Sequence, residues 1–442
     1  MRIWIKNPLA IYAENAKGGV VIQDDKIIEL VSTDQKPTLA IDHVIDATQH
    51  VVLPGLINTH HHYYQTLFRA YRKSLNLELF PWLKALYKAW AKLTPESFVS
   101  ACKIAQCELL LSGCTTSADH HYIFTPTLKN AIDIQAKVAQ ELQCRAIILR
   151  GSMDLSEKDG GLPPDEVVQT LDEILSDSER VINRYHDPNP GSLLQIALAP
   201  CSPFSVTKEV MVESAKLAKK MHVRLHTHLS ETEDENKFCL KKYGMRPLDY
   251  LEECGWLHDQ TWLAHAIHYT DEELVRLGEH HVGMSHCPSS NMILASGMFR
   301  GIDAENRGCR VSIAVDGSSS NDHSNMMLEL RQAFLLQRLQ YGSKLSAMDI
   351  FRWGTKGGAD ALGRSDIGSL AIGKQADIAL FRLNEIQFAG ANEPLTALIN
   401  CGARRADRVF VAGKELVKDG QLTHVDLDRL IFDQNQFAKA LT

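Results

Sequence analysis

The stretch Val51–His62, with the sequence VVLPGLINTHHH, decides the fold and the chemistry of this chain. It begins as an apolar run and ends in His-x-His. Side chains alternate along a strand, so His60 and His62 would point to one side and His61 to the other. Two imidazoles that converge at a strand end form a binding place for a divalent metal, most commonly zinc. The alternative is a histidine pair with a structural role in a turn.

The middle of the chain alternates short apolar runs with longer amphipathic segments, such as 95–111, 208–220 and 271–279. Eight strands alternating with helices are typical of a (β/α)8 TIM-like barrel, an α/β fold with its chemistry at the C-terminal strand ends. The predicted strands are 51–59, 115–120, 145–151, 194–200, 223–228, 261–265, 282–286 and 311–316.

Both ends of the chain are rich in short alternating segments that predict antiparallel strands. They lie at 19–23 and 26–30 near the N-terminus, and at 376–381 and 408–413 near the C-terminus. We therefore expect a small β-sandwich domain formed from both termini. The predicted domains are 1–52 for its first part, 53–365 for the barrel, and 366–442 for its second part with a tail helix.

The composition is that of a globular protein, with 45% hydrophobic and 23% charged residues among 442. A net charge of −7 argues against partners such as nucleic acid or an anionic membrane. We find neither an apolar run of about 18 residues nor a signal peptide. The ten cysteines form no CxxC pairs, which favours reduced, mostly buried thiols and a cytoplasmic location.

Metal-competent side chains also end other predicted strands. His226 and His228 end one strand and Glu231 follows three residues later, His265 ends the next strand, and Asp316 ends the last. A buried aspartate needs a partner, because an unpaired buried charge is costly. An N-cap or a structural salt bridge would explain one such residue. Several strand ends of this kind in one barrel indicate a shared metal site.

Together these residues resemble the amidohydrolase superfamily, and in particular its metal-dependent aminohydrolases (deaminases). The turn at 368–377 is similar to the one by which that family's chain returns to its β domain. Within the superfamily, five stretches resemble the 8-oxoguanine deaminases, namely 60–67, 150–156, 159–165, 198–205 and 285–292.

The resemblance implies a ligand set of His60, His62, His228 and Asp316 for one Zn2+ per subunit, with Fe2+ as the alternative metal. His226 competes for the third position, because it would share a face with His228. We interpret His226 as a supporting residue, since Glu231 stands at the family spacing from His228. The strand ending at 198–201 lacks the lysine that bridges two metals in relatives, which favours a single metal.

The same resemblance implies three catalytic residues. A bound metal can lower the pKa of its water from about 15.7 to about 7. Asp316 would accept the proton of that water and His265 would orient it. Glu231 would donate a proton to the ring nitrogen beside the carbon under attack. The alternative for Glu231 is a surface carboxylate at the start of the acidic run 231–235.

Three residues are predicted to bind substrate. Gln65 can both donate to and accept from the lactam edge of a purine. Trp82 would form a wall of the site, or else be a core aromatic. Cys201 follows Pro200, where guanine deaminases have an arginine that grips the purine. The exchange disfavours guanine and favours an altered purine, unless another residue such as Arg150 reaches the pocket.

The expected function is hydrolytic deamination of 8-oxoguanine to urate and ammonia. The alternative within enzymes is a related aminated heterocycle: a hydroxylated s-triazine, guanine, isocytosine or cytosine. A non-catalytic scaffold is a different class of function, but it would have lost ligands that this chain keeps. A small-molecule substrate and a homo-oligomer, a dimer or larger, are the partners that the resemblance implies.

Overall fold

The computed structural model describes residues 1–441, which form short strands near both ends and alternating strands and helices between them. The strands are β1 Arg2–Lys6, β2 Ala10–Ile11, β3 Gly19–Gln23, β4 Lys26–Val31, β5 His43–Asp46, β6 His50–Pro54, β7 Leu56–Asn58, β8 His61–His62, β9 Cys114–His121, β10 Arg145–Ser152, β11 Leu194–Pro200, β12 Leu225–Leu229, β13 Thr261–His265, β14 Gly283–His286, β15 Arg310–Ile313, β16 Asp316–Gly317, β17 Ile378–Arg382, β18 Arg408–Val411, β19 Lys414–Lys418 and β20 Gln421–Leu422.

The helices lie mostly between the central strands and after the last of them. They are α1 Leu79–Trp90, α2 Pro95–Leu111, α3 Ala131–Leu142, α4 Leu171–Tyr185, α5 Lys208–Met221, α6 Glu233–Tyr243, α7 Pro247–Glu253, α8 Asp271–Glu279, α9 Pro288–Ile293, α10 Gly301–Asn306, α11 Met326–Tyr341, α12 Ala347–Arg352, α13 Gly358–Ala361, α14 Pro394–Asn400 and α15 Leu427–Leu441.

Eight parallel strands form the central sheet, in the order β7-β9-β10-β11-β12-β13-β14-β15. Helices on its outer side connect each strand to the next, as in a (β/α)8 barrel. The predicted fold class is therefore confirmed. The predicted helices at 95–111 and 271–279 coincide with α2 and α8.

The first predicted strand, 51–59, is wrong as a single element. Residues His50–Pro54 form β6, which pairs antiparallel with β17, whereas Leu56–Asn58 form β7, which pairs with β9 in the barrel. The chain changes sheets at Gly55, whose amide donates to the Asp377 carbonyl while the next amide donates to Gly113. A Cβ at position 55 would lie 2.1 Å from Thr115 Oγ1, so only glycine allows this close crossing.

Two sheets flank the barrel and pack on each other. One contains β4-β3-β1-β5, and the other contains β2-β6-β17-β18-β19-β20 and so joins both chain ends. Their shared core includes Ile5, Val20, Ile45, Val52 and Ile378. The β-sandwich expected from both termini is thus present. The domain bounds at 52/53 and 365/366 stay a prediction.

The barrel closes through the two short strands that follow its first and last members. β16 pairs in parallel with β8, with Asp316 opposite His61, and the Asp316 amide donates to the His60 carbonyl at 3.1 Å. The Val315 amide donates to the Asn58 side chain at 2.9 Å. The closing contact therefore joins the two stretches that carry His-x-His and the aspartate.

No helix within residues 1–441 is long and apolar enough to cross a membrane.

A buried ion pair ties the β-sandwich to the barrel. Arg145, at the start of β10, donates through Nε and Nη2 to both carboxylate oxygens of Asp377 at 2.9 Å. The two side chains are almost completely buried, and Asp377 also accepts from the Ala412 amide at 2.8 Å. Removing one partner would leave the other charge buried without compensation.

We predict that Asp377→Ala lowers the free energy of unfolding by about 3–5 kcal/mol, because it leaves the Arg145 charge buried without a counter-charge. Chemical denaturation would measure the loss. Glu213→Ala is the matched control, since it breaks the exposed pair with Lys216 and should cost at most about 1 kcal/mol. Equal effects of the two substitutions would contradict this account of the ion pair.

Candidate active site

Four metal-competent side chains meet at the C-terminal end of the barrel. His60 and His62 follow β7, His228 lies in β12, and Asp316 opens β16, so three separate parts of the sheet contribute. All four are buried. His62 Nε2 lies 3.2 Å from His228 Nε2, and Asp316 Oδ1 lies 3.3 Å from the Nε2 atoms of both His60 and His62.

The hydrogen bonds of the histidines fix which nitrogen faces the cluster. His62 Nδ1 is 2.7 Å from the His120 carbonyl oxygen, and His228 Nδ1 is 2.6 Å from that of Cys201. A carbonyl oxygen only accepts, so each Nδ1 carries the hydrogen and donates it. Each Nε2 in the neutral ring is then a lone pair directed at the other residues of the cluster.

His226 fixes the third ring in the same way. Its Nδ1 donates to the Trp262 carbonyl oxygen at 2.9 Å, so its Nε2 accepts from His60 Nδ1 at 2.8 Å. His60 Nε2 is therefore also a lone pair, and it has no hydrogen-bond partner among the described residues. Both ring nitrogens of His226 are engaged in these hydrogen bonds, so neither is available to the cluster.

The electrostatics of the cluster favour a bound cation. Burial lowers the pKa of His62 below its usual value and that of His228 to about 3, so both rings are neutral. Burial alone would raise the pKa of Asp316, but His60 and His265 hold it well below its usual range, so the carboxylate is charged. Lone pairs 3.2 Å apart repel each other, and a buried carboxylate needs a counter-charge. A divalent metal satisfies both requirements.

Two further titratable groups lie beside the cluster. His265 Nδ1 donates to Asn291 Oδ1 at 2.9 Å, and its Nε2 lies 3.4 Å from Glu231 Oε2 and 4.0 Å from Asp316 Oδ2. Burial opposes protonation of His265, but the two carboxylates outweigh it and raise its pKa. Burial raises the pKa of Glu231 to about 7. Glu231 can therefore exchange a proton near neutral pH.

The backbone at this site is strained at two of these residues. His265 has φ of 68° and Asp316 has φ of 61°, both in the left-handed region that disfavours residues with a Cβ. Such strain concentrates where side chains must be aimed for function. In Asp316 it accompanies the turn by which the carboxylate leaves the last barrel strand and enters the cluster.

A narrow cavity opens directly onto the cluster. Gln65, Trp82 and Cys201, the three residues predicted to bind substrate, all line it together with Glu231 and His265. The remaining lining residues are His62, Leu79, Leu83, Tyr87, Tyr122, Phe204, His228, Leu294, Asp316 and Ser320. Every predicted site residue therefore lines this cavity apart from His60, which belongs to the cluster but not to the cavity lining.

Gln65, Trp82 and Cys201, the three residues predicted to bind substrate, differ in which polar atoms they leave available to a ligand. Gln65 Oε1 accepts from the Ser319 amide at 3.2 Å, which leaves its amide nitrogen as the group available to a ligand. Trp82 Nε1 donates to the Ser319 carbonyl at 3.3 Å, so its ring is fixed as a wall. Burial raises the pKa of the Cys201 thiol to about 12, so this side chain is uncharged at neutral pH.

Arg150 does not reach the cavity. Its Nε donates to Asp177 at 3.1 Å, and its guanidinium lies over the Phe124 ring with 4.2 Å to the centroid. The cavity lining contains neither lysine nor arginine. The position after Pro200 is therefore not compensated by another basic residue.

Sequence reasoning missed several residues of the site. Tyr87 and Leu83 come from α1, and the helical spacing of Leu79, Leu83 and Tyr87 marks a buried face. That spacing could not show which part of the barrel the face covers. Asn291, which orients His265, lies in α9 within the stretch 285–292, but nothing in the sequence assigns it a role.

Comparison with known proteins gives matches that span the chain. The amidohydrolase family matches residues 51–416. The chain is 55% identical over 444 residues to the 8-oxoguanine deaminase of Pseudomonas aeruginosa, covering 100% of this chain and 99% of that protein. It is 34% identical over 385 residues to the hydroxydechloroatrazine ethylaminohydrolase of Pseudomonas sp. (strain ADP), covering 84% of this chain and 79% of that protein.

A solved structure matches with equal coverage. The atrazine chlorohydrolase of Arthrobacter aurescens TC1, crystallised with zinc, has a TM-score of 0.93 at 29% identity. The match covers 99% of this chain and 100% of that chain. The similarity therefore includes the barrel and both flanking sheets.

Proposed function

The chain belongs to the amidohydrolase family, and from this premise we propose that it deaminates 8-oxoguanine by hydrolysis to urate and ammonia. One observation carries the proposal. The chain is 55% identical over its full length to an 8-oxoguanine deaminase. In addition, Glu231 and the histidine–aspartate cluster lie at the same cavity. The predicted relationship to this family is confirmed.

The cluster suits one divalent cation held by His60, His62, His228 and Asp316. Nitrogen and carboxylate ligands of this kind bind zinc or Fe2+, and we propose one Zn2+ per subunit with Fe2+ as the alternative. β11 ends at Pro200 without the lysine that a bridged pair of metals would use. A cation bound there lowers the pKa of water from about 15.7 to about 7 and so supplies a nucleophile at neutral pH.

Asp316 and His265 activate and orient the attacking water. Asp316 accepts its proton, since this carboxylate is held in the charged form. His265 lies 4.0 Å from Asp316 Oδ2 and is oriented by Asn291, so its Nε2 can steady the negative charge of the attacking oxygen.

Glu231 acts at the ring of the substrate. With a pKa of about 7 it carries a proton in part of the molecules at neutral pH. It donates that proton to the ring nitrogen beside the amino-bearing carbon, which receives the electron pair displaced by attack. Asp316 then passes the proton taken from water to the amine, which leaves as ammonia, and Glu231 recovers a proton from the hydroxyl that remains on the ring carbon. One water is consumed and a C–N bond is replaced by a C–O bond.

The recognition groups of the cavity are uncharged. The Gln65 amide nitrogen donates to the lactam oxygen, and Trp82 forms a wall beside the ring. Cys201 occupies the position at which guanine deaminases, which resemble this chain there, have an arginine. Because Arg150 is paired with Asp177 elsewhere, the pocket lacks a guanidinium to grip the purine. This arrangement favours 8-oxoguanine over guanine.

A related aminated heterocycle is the alternative substrate, such as a hydroxylated s-triazine, guanine, isocytosine or cytosine. The similarity to hydroxydechloroatrazine ethylaminohydrolase favours the triazine among these. We further propose that the protein acts in purine breakdown in the cytoplasm as a homo-oligomer, a dimer or larger, on small molecules rather than on nucleic acid or membranes.

Ammonia release by the zinc-loaded enzyme tests the proposal. The panel consists of 8-oxoguanine, guanine, isocytosine, cytosine and a hydroxylated aminotriazine. We expect kcat/KM for 8-oxoguanine to exceed the others by about a hundredfold or more, because mismatched polar groups in a closed pocket are strongly discriminated. A higher kcat/KM for another ring would replace the substrate but keep the chemistry. No release from any of the five would reject the proposal.

We predict that His228→Ala removes the metal, because it deletes a ligand, whereas His226→Ala retains it with affinity lowered about 10–100-fold. Metal content of the purified variants measures this difference. His186→Ala is the control, since this partly buried histidine accepts from the Ile196 amide at 3.1 Å near the start of β11, the opposite end of the strand from the site. Metal loss in His226→Ala with retention in His228→Ala would exchange the two roles.

We predict that Glu231→Gln keeps its metal and loses about 10²–10⁴-fold in kcat, because the amide cannot deliver a proton. Glu233→Gln, in the same acidic run but exposed and paired with His268, should keep the rate of the unmodified enzyme. Near-normal turnover by Glu231→Gln would show that another group supplies the proton.

A further inference from the structure

Tyr87 presents a hydroxyl to the active-site cavity that nothing in the chain engages. The residue lies in α1, is fully buried, and lines the cavity together with Cys201 and Glu231. Its hydroxyl has no hydrogen-bond partner among residues 1–441. A buried hydroxyl without a partner is unfavourable, so its retention needs an explanation.

The other tyrosines near the cavity differ from Tyr87. The hydroxyl of Tyr64 also lacks a hydrogen-bond partner, but Tyr64 lies outside the cavity lining. The Cys201 thiol, Tyr64 and the Glu231 carboxyl are the titratable groups that act on the Tyr87 hydroxyl, and none of them forms a hydrogen bond with it. Burial raises the pKa of Tyr87 well above its usual value, so it keeps its proton and can donate it.

Packing does not account for the hydroxyl. The Tyr87 ring meets the Trp90 ring edge to face, with 5.6 Å between centroids and 85° between planes. Phenylalanine would make the same contact, because the hydroxyl takes no part in it. The hydroxyl is therefore available to a molecule in the cavity.

Two of the donors in the cavity suit the two carbonyl oxygens of the proposed substrate. 8-Oxoguanine has two ring carbonyl oxygens, whereas guanine has one. The Gln65 amide nitrogen and the Tyr87 hydroxyl are two uncharged donors that the chain itself leaves free. Gln65 is already assigned to the lactam oxygen that both purines share.

We propose that the Tyr87 hydroxyl donates a hydrogen bond to the C8 carbonyl oxygen, the group that 8-oxoguanine has and guanine lacks. This inference rests on the proposed function and assigns its specificity to one atom. Tyr87 is then a specificity residue that takes no part in the proton transfers.

Steady-state kinetics of Tyr87→Phe test the inference. We expect kcat/KM for 8-oxoguanine to fall about 10–100-fold, while kcat/KM for guanine changes less than about threefold, because only the first substrate loses a partner. The loss should appear mainly in KM. Tyr250→Phe is the matched control, since its buried hydroxyl also lacks a partner but lies outside the cavity lining.

Binding of the two deamination products gives a readout independent of turnover. Urate keeps the C8 oxygen, whereas xanthine, the product from guanine, lacks it. Tyr87→Phe should weaken urate binding about 10–100-fold and leave xanthine binding unchanged, with a melting temperature at or above that of the unmodified enzyme. Equal losses for both ligands, or none, would overturn the assignment. Failure of the unmodified enzyme to turn over 8-oxoguanine would instead reject the proposed function together with it.

Discussion

The structure depends on the convergence of three imidazole lone pairs and one carboxylate in the buried interior. His62 Nε2 and His228 Nε2 lie 3.2 Å apart, and both rings are neutral because burial depresses their pKa. Without a cation between them these atoms would repel each other. The barrel closes at the same place, since the short strand that begins with Asp316 pairs with the one that begins with His61. Fold and chemistry therefore share one constraint.

Neighbouring residues fix the orientation of the three imidazole rings in the cluster. Backbone carbonyls of His120 and Cys201 hold two rings, and His226 holds the third through His60. Each of these bonds fixes a tautomer, so the chain itself determines which nitrogens face the cluster. The cavity divides accordingly into a charged end at Asp316 and a recognition end built from uncharged side chains.

Much of this arrangement could be predicted from the sequence. Strand ends are readable because apolar runs stop at His228, His265 and Asp316, and period 2 places His60 and His62 on one side. The division at Gly55 could not be predicted, since residues 51–59 read as one apolar run and only the crossing at Thr115 separates them. Period 2 also left His226 and His228 equivalent. Their roles follow from hydrogen bonds to Trp262 and Cys201, which are contacts between neighbouring strands.

The walls of the cavity were harder to predict for a physical reason. Tyr87 shares its helical face with Leu83 and Trp90, and periodicity treats all three as core. Only the placement of α1 across the barrel mouth shows that one of them carries an unpaired hydroxyl into the site. Cys201 was readable because it departs from a family pattern, whereas Tyr87 departs from none.

The most direct test of the metal assignment is anomalous diffraction from crystals of the enzyme purified without chelators, recorded on both sides of the zinc absorption edge. The account predicts one anomalous peak per subunit, surrounded by His60, His62, His228 and Asp316. Two peaks in the cavity, or one peak contacting His226 in place of His228, would contradict it.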